Sequence, residues 1–370
     1  MKYRICLALA VAAVAATVLL RPRTEPAVPT PDPATSSTDH PEEGLPGPEM
    51  ASSVALLEVS PENTGHTNLI ERLLRGDGVE LTPEQISAFL TVNHRNAESL
   101  LAAFRTSNNL TYLREAKETF PDDPRVQFAA IFRSDSTEER SQWLHRLRQT
   151  APDNALPDYL SALDDLKAGR TAEGVQELNA AAAKTGYQDY VLDSIQTAEE
   201  AYRSAGYSDA EAKLIATRET PLPQLAPLRQ LSLNIVDLAN SYQQAGDTAS
   251  AQTALQMAVH LGQQLDANGP GGQFLINNFV GIAIQLNALN ALDPASAYGT
   301  SGQTVQDYMD QLTQERAAMK QVGQQTKGMW QNMSPEDAIS FFDREKLFGE
   351  QAALQWYVNK IGQVSGAGPN

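Results

Sequence analysis

Apolar residues recur at helical spacing from about residue 68 almost to the end of the chain. Leu69, Leu73 and Leu74 share one face of a first helix, and later segments repeat the spacing of three and four residues. Thr82 and Ser334 each precede a proline and then a glutamate, which is typical of a helix N-terminus. The alternation of β-branched residues that indicates strands does not occur in this region. The pattern predicts an all-α body over about residues 66–362.

The N-terminal pattern differs from that of the body. Lys2 and Arg4 precede an apolar run over residues 5–20, and two arginines follow it. A basic segment before an apolar core is typical of a secretion signal. As a helix the run would span about 24 Å, which is short of the hydrocarbon core of about 30 Å. Residues 1–20 are therefore a cleaved signal sequence or an uncleaved membrane anchor. We favour the anchor, because the apolar run continues past the small-residue cleavage site.

Residues 21–65 form a spacer rich in Pro, Thr, Ser and Glu. Prolines interrupt helix and sheet hydrogen bonds, and such a composition buries too little apolar surface to fold. We expect a disordered linker that holds the helical body away from a membrane. This places the body in the periplasm or outside the cell, as a secreted form if the signal is cleaved. A short disordered tail is expected at residues 363–370.

The strongest internal signal spans residues 235–258, where two apolar stripes meet at a turn that contains Gly246. Small residues, Ala239 and Ala251, stand where two helices would approach closely. The positions that carry the pattern are Ile235, Leu238, Ala239, Tyr242, Gly246, Ala251, Leu255 and Ala258. This segment resembles a tetratricopeptide repeat, which is a pair of antiparallel helices.

Two earlier segments fit the repeat less well. The turn glycines Gly169, Gly206 and Gly246 follow one another at intervals of 37 and 40 residues, instead of a strict 34. Near Gly206, the residues Glu199 and Glu211 stand where the repeat has small residues. The resemblance therefore extends over a divergent array.

The resemblance implies an architecture for the whole body. Helix pairs would stack as a right-handed solenoid, or as an irregular helical array, over residues 66–268, because one pair cannot bury its apolar face alone. A C-terminal helical region at residues 269–362 would pack on this array. Within it, residues 274–292 are strongly apolar, which predicts a buried helix.

A binding surface is also implied, because tetratricopeptide-like arrays commonly bind with the first helix of each pair. By that resemblance, the groove-facing residues are Gln196, Glu200, Arg203, Asn240, Gln243 and Gln244. Side-chain amides can satisfy the unpaired donors and acceptors of a peptide backbone. Adjacent carboxylates such as Glu199 and Glu200 are expected on solvated faces.

Charge and composition narrow the classes of function. The formal charge of -17 disfavours nucleic acid as a partner, because the chain would repel a phosphate backbone. Cys6 is the one cysteine, and the five histidines lack the spacing of metal ligands. The sequence contains none of the common phosphate-binding, serine-hydrolase or zinc-protease motifs. We therefore expect no catalysis, no cofactor and no metal.

Together these observations predict an exported, membrane-tethered helical-repeat scaffold that binds a protein or peptide partner. Two alternatives stay open: a helical cell-envelope enzyme, either a hydrolase or a lyase, and a purely structural envelope component. An enzyme would need a buried carboxylate in a deep pocket.

Overall fold

The computed structural model describes Leu69, Leu73 and residues 78–266, 271–299 and 302–366. Helices dominate this part of the chain, and the strands β1 (Ala297–Tyr298) and β2 (Gln303–Thr304) are two residues long. The all-α prediction is therefore confirmed. The predicted signal or anchor at residues 1–20 and the linker at residues 21–65 lie outside the described residues.

Short connections separate the helices. Those before residue 220 are α1 (Pro83–Val92), α2 (Ala97–Ser107), α3 (Leu110–Thr119), α4 (Pro124–Ile131), α5 (Thr137–Thr150), α6 (Leu156–Lys167), α7 (Thr171–Ala182), α8 (Val191–Ser204) and α9 (Asp209–Glu219). Those after it are α10 (Leu225–Gln244), α11 (Thr248–Leu265), α12 (Leu275–Leu289), α13 (Val305–Gln325), α14 (Met329–Asn332), α15 (Pro335–Phe348) and α16 (Glu350–Gly366).

Two predicted helix starts have the expected hydrogen bonds. At α1, the backbone N–H of Gln85 donates to Thr82 Oγ1 at 3.3 Å, and the N–H of Thr82 donates to Gln85 Oε1 at 2.9 Å. At α15, the Ser334 hydroxyl accepts from the N–H of Asp337 at 3.1 Å. These side chains satisfy N–H groups that have no partner within the helix, so each helix begins where its sequence predicts.

The helix pairs do not pack in the order of the chain. α6 packs on α7, α8 on α9, and α10 on α11. The α10/α11 pair packs on α6 and α7, whereas the intervening α8 packs on α1 and α2. In a solenoid, each pair contacts the pairs next to it in sequence. The contacts therefore describe an irregular helical array, and the right-handed solenoid is not confirmed.

The C-terminal helices pack on the array at two places. α12 packs on α10 and α11 and is the buried helix that the sequence predicts, while α15 packs on α9 and α16. α16 continues to Gly366, so residues 363–366 of the predicted disordered tail are helical. Gly362 does not end the helix, since an interior glycine costs only about 1 kcal/mol relative to alanine. In the described part of the chain, no helix is long and apolar enough to cross a membrane.

Candidate functional site

The α10/α11 pair carries the tetratricopeptide-like motif. Ala239 on α10 and Ala251 on α11 are fully buried, and so are Leu255 and Ala258. Small side chains at the first two positions allow the helix backbones to approach closely, because a longer side chain would have to displace well-packed neighbours. The two helices and the turn between them match the sequence prediction for residues 235–258.

Three helix pairs turn in the same way. Gly169, Gly206 and Gly246 have φ angles of 74°, 95° and 81°, a region that favours glycine. In each turn, the N–H of the residue after the glycine donates to the carbonyl oxygen five residues earlier, which is the hydrogen bond of a Schellman motif. The donors and acceptors are Arg170 and Asp165 at 2.9 Å, Tyr207 and Tyr202 at 3.2 Å, and Asp247 and Tyr242 at 2.9 Å.

A fourth turn of this kind joins α1 and α2. The N–H of Arg95 donates to the carbonyl oxygen of Leu90 at 3.0 Å. His94 stands where the other turns have glycine, and its φ of 52° is left-handed. Arg95 is left-handed too, with a φ of 50°, so this turn shares the hydrogen bond of the others but not their whole backbone conformation. The sequence does not predict this turn, because it lacks the glycine that marks the other three. The hydrogen bond is made by the backbone, so another residue can form the turn at some cost in conformational energy.

The predicted groove residues on α10 lie on its outer face. Gln243 and Gln244 are exposed and Asn240 is half-buried. Residues three and four apart share one helix face, so Asn240 and Gln244 lie in one row with Leu233 and the exposed Asp237. Leu233 is 38% exposed. This row, which we call the α10 face, combines one apolar side chain with two amides and a carboxylate.

The predicted groove residues on α8 have a different setting. Gln196 and Glu200 are exposed, and Gln196 Nε2 donates to Glu200 Oε1 at 3.0 Å. Gln196 Oε1 also accepts from Lys346 Nζ of α15 at 3.1 Å. Arg203 is half-buried, and its Nε lies 2.7 Å from Asp209 Oδ1. Because α8 and α10 pack on different helices, these residues and the α10 face belong to two separate surfaces.

Glu199 lies buried between α8, α9 and α15, with 1% of its surface exposed. Its Oε1 is 2.9 Å from Lys213 Nζ on α9, and its Oε2 is 2.8 Å from Lys346 Nζ on α15. Arg203 pairs with the same carboxylate from the next turn of α8. Lys213 also pairs with Asp343 of α15 at 2.5 Å. The expectation that Glu199 is solvated is wrong, because these cations replace the water that burial removes.

Glu199 occupies a position at which the predicted repeat has a small residue. Ala162, Glu199 and Ala239 each precede their turn glycine by seven residues. The two alanines are fully buried and allow close apolar packing, whereas Glu199 pairs with cations of its own helix and of two others. In the sequence, Glu199 departs from the small residue that the repeat pattern has at this position. The sequence does not show that its partner is Lys346, which is 147 residues away in the chain.

Lys213 links the buried Glu199 of α8 to Asp343 of α15. Burial alone would lower the pKa of Lys213, but its hydrogen bonds to Asp343 and Glu199 raise the pKa above its ordinary value. Lys213 therefore stays protonated and holds carboxylates of two helices. The ion pairs among Glu199, Lys213, Asp343 and Lys346 fasten α15 to the α8/α9 pair.

α15 and α16 also dock on the start of α12 by reciprocal capping. Gln273 Nε2 donates to the carbonyl oxygens of Glu345 and Lys346 at 2.6 and 3.0 Å. The N–H of Glu350 donates to the Gln273 carbonyl at 2.9 Å, and Glu350 Oε2 accepts from the N–H of Leu275 at 2.9 Å. These bonds satisfy groups at the ends of α12, α15 and α16 that have no partner within their own helices.

A small cavity of about 20 Å³ lies where α9, α14, α15 and α16 meet. Its lining residues are Thr217, Arg218, Trp330, Phe341, Phe342, Glu345 and Glu350. Burial raises the pKa of Glu345 well above its ordinary value, and the neighbouring Glu350 carboxyl adds to the shift. Burial also raises the pKa of Glu350. The cavity has room for about one water molecule, so these carboxyls belong to a docking interface and not to a substrate pocket.

Comparisons with protein-family models, with curated proteins and with solved structures gave no match. The tetratricopeptide resemblance therefore stays a prediction from the motif at residues 235–258. Within the described ranges, no group of three His, Cys, Asp or Glu side chains is placed to hold a metal ion.

Proposed function

We propose that the protein is an exported, membrane-tethered helical scaffold that binds a peptide segment of a partner protein and performs no catalysis. The observation that supports this proposal best is the α10 face. It presents Leu233, Asp237, Asn240 and Gln244 in one row on a long helix of a tetratricopeptide-like pair.

The chemistry of the α10 face suits an extended peptide. An asparagine or glutamine amide both donates and accepts, so Asn240 and Gln244 can pair with backbone N–H and C=O groups of a peptide that would otherwise lose these bonds on leaving water. Leu233 supplies an apolar contact at the N-terminal end of the row. The row follows a rigid helix, which limits the entropy lost on binding.

The partner can be sought with random peptides displayed on phage and selected on the immobilised full-length chain. Selected peptides should bind the Leu233→Ser and Asn240→Ala variants about tenfold more weakly than the wild type, because few contacts carry most of the affinity of an interface. Leu110→Ser is the matched control, since Leu110 is an exposed leucine on α3. Peptides that bind Leu233→Ser as tightly as wild type would disprove the assignment to the α10 face.

The tether rests on the sequence of residues 1–20 and of the linker at residues 21–65. An apolar run behind basic residues directs export, and a proline-rich spacer separates the body from the membrane surface. Cell fractionation should find the intact chain with membranes and a chain without residues 1–20 in the soluble fraction. If both are equally soluble in the cytoplasm, this part of the proposal is wrong.

A further inference from the structure

Two opposite charges flank the apolar side chain of the α10 face. Arg229 is exposed and lies four residues before Leu233, just as the exposed Asp237 lies four residues after it. Residues four apart are neighbours on one face of a helix. The guanidinium, the apolar side chain and the carboxylate therefore follow one another along α10, and Arg229 borders the α10 face on its N-terminal side.

Both charges are available to a partner. Among the residues that the structure describes, neither the Arg229 guanidinium nor the Asp237 carboxylate has an ion pair or a hydrogen bond. Eight residues of helix separate them by about 12 Å along the axis. The screening length in physiological salt is about 8 Å, so the two charges do not neutralise each other.

Neighbouring helices leave these charges unmatched. Arg229 and Asp237 are the only Lys, Arg, Asp or Glu residues in α10, α11 and α12. On α6, which also packs on α10, the carboxylates of Asp158, Asp164 and Asp165 are paired with arginines. The charge pattern along the exposed side of α10 is therefore set by one cation and one anion.

The spacing of this pattern matches an extended peptide. Four residues of an α-helix advance about 6 Å, and two residues of an extended chain advance about 6.6 Å. Alternate side chains of an extended chain point to the same side. A peptide residue that covers Leu233 therefore places the residues two before and two after it next to Arg229 and Asp237.

We propose that the α10 face selects peptide segments in which an acidic and a basic residue lie four positions apart, with an apolar residue midway between them. The acidic residue meets Arg229, the apolar residue covers Leu233, and the basic residue meets Asp237. This selectivity rests on the peptide binding proposed for the α10 face. Segments with two like charges at these positions are disfavoured, because one of them meets a like charge.

The order of the acidic and basic residues along the peptide is not restricted. Asn240 and Gln244 each carry both a donor and an acceptor, so they can pair with a peptide backbone that runs in either direction.

Random peptides displayed on phage test the proposal, with the immobilised full-length chain as bait. Selected peptides that bind wild type but not Leu233→Ser are assigned to the α10 face. Most of these peptides should contain the acidic and basic residues four positions apart around an apolar residue. Synthetic labelled copies are then measured by fluorescence anisotropy against the charge variants.

Charge variants should change the selected pattern. Asp237→Lys leaves two cations along α10, so it should select peptides with two acidic residues at these positions. It should also bind the wild-type peptides about tenfold more weakly, because repulsion replaces attraction. Arg229→Glu should select two basic residues instead. Glu118→Lys and Arg114→Glu make the same charge changes at exposed positions of α3 and should bind like wild type.

The outcomes separate this selectivity from peptide binding itself. Peptides that depend on Leu233 but lack the charge pattern, or that bind Asp237→Lys as tightly as wild type, would overturn the selectivity and leave the proposed peptide binding intact. An equal loss in Glu118→Lys would also overturn it, since the peptides would then respond to the charge of the whole chain. If no selected peptide depends on Leu233, the proposed peptide binding fails, and the selectivity fails with it.

Discussion

The α8/α9 and α10/α11 pairs share a turn but differ in what they pack against. Both turn at a left-handed glycine that is closed by the same Schellman hydrogen bond. Seven residues before that glycine, α10 has Ala239 and α8 has Glu199. The comparison shows that turn chemistry determines how a pair forms, whereas a single buried position influences which helices the pair can accept as neighbours.

The contacts of the two pairs follow this difference. α10 packs on α6 and α12, and Ala239 is fully buried without needing a polar partner. α9 packs on α15, and Glu199 of α8 reaches Lys346 of that helix. A buried carboxylate is strongly unfavourable unless it is paired. Arg203 and Lys213 of the α8/α9 pair supply two of its cations, and Lys346 of α15 adds a third.

Removing the buried carboxylate should have the largest effect. Glu199→Ala removes one of the two carboxylates that Lys213 and Lys346 share, and leaves them Asp343. We therefore expect a loss of about 3 kcal/mol in the free energy of unfolding, at the lower end for broken buried pairs. Urea unfolding measures this value. Glu200→Ala is the control from the next, exposed position and should change stability little. Equal stability of the two variants would contradict the assigned role of Glu199.

Overpacking the α10/α11 contact should have a somewhat smaller effect. Ala239→Leu and Ala251→Leu each add three carbons to a fully buried contact, which should lower the free energy of unfolding by about 1–3 kcal/mol. Gln243→Leu, at an exposed position of the same helix, should leave the urea midpoint nearly unchanged. If all three variants unfold at the same urea concentration, the result would contradict a close approach of α10 and α11 at Ala239 and Ala251.

The stability of the interface that contains Glu345 and Glu350 should depend on pH. The raised pKa of Glu345 means that its stabilising contribution is complete below its ordinary pKa of 4.5 and is lost as the pH rises through the raised value. Burial is the main cause of the raised pKa of Glu345. The Glu350 carboxyl of α16 adds to the shift, and Lys346 of α15 and Arg218 of α9 oppose it. Glu345→Gln should reduce the pH dependence of stability, leaving the part that comes from Glu350, and should stabilise the protein near neutral pH. Parallel stability curves for wild type and variant between pH 4 and 8 would contradict this.

Substitutions at the left-handed turn residues should change the stability of the protein least. His94→Gly relieves a left-handed histidine and should stabilise the protein by about 0.5–1 kcal/mol, after the larger unfolded-state entropy of glycine is subtracted. Gly246→Ala makes the opposite change and should destabilise it by about 1 kcal/mol. Thermal unfolding of both variants measures these two changes in stability. Destabilisation by His94→Gly would show that the α1–α2 turn is not equivalent to the others.

Local signals in the sequence predict the helices and their turns. They do not predict which helices pack together, because that depends on residues far apart in the chain. Thr82, Ser334 and Gly246 act through residues within five positions of themselves, so their caps and turns could be predicted. Packing of α8 on α1 and α2 depends on residues about a hundred positions apart, and no local pattern encodes it.

The candidate surfaces show the same limit. The sequence placed Gln243 and Gln244 in solvent, where the structure also has them. It could not predict that Lys346 contacts Gln196, because this contact depends on how the C-terminal helices dock. Helical spacing groups the exposed Phe348 with the buried Phe341, seven residues earlier on the same helix. Spacing could not show that the inward face of α15 ends at Glu345.

The most direct test of the role of Glu199 is a double-mutant cycle between Glu199 and Lys346. Urea unfolding of Glu199→Ala, Lys346→Ala and the double variant gives their coupling energy, and a cycle between Glu200 and Lys346 is the control. We predict a coupling of at least about 1 kcal/mol for the first cycle and almost none for the second. A coupling near zero in the first cycle would show that Glu199 does not fasten the C-terminal helices to the α8/α9 pair.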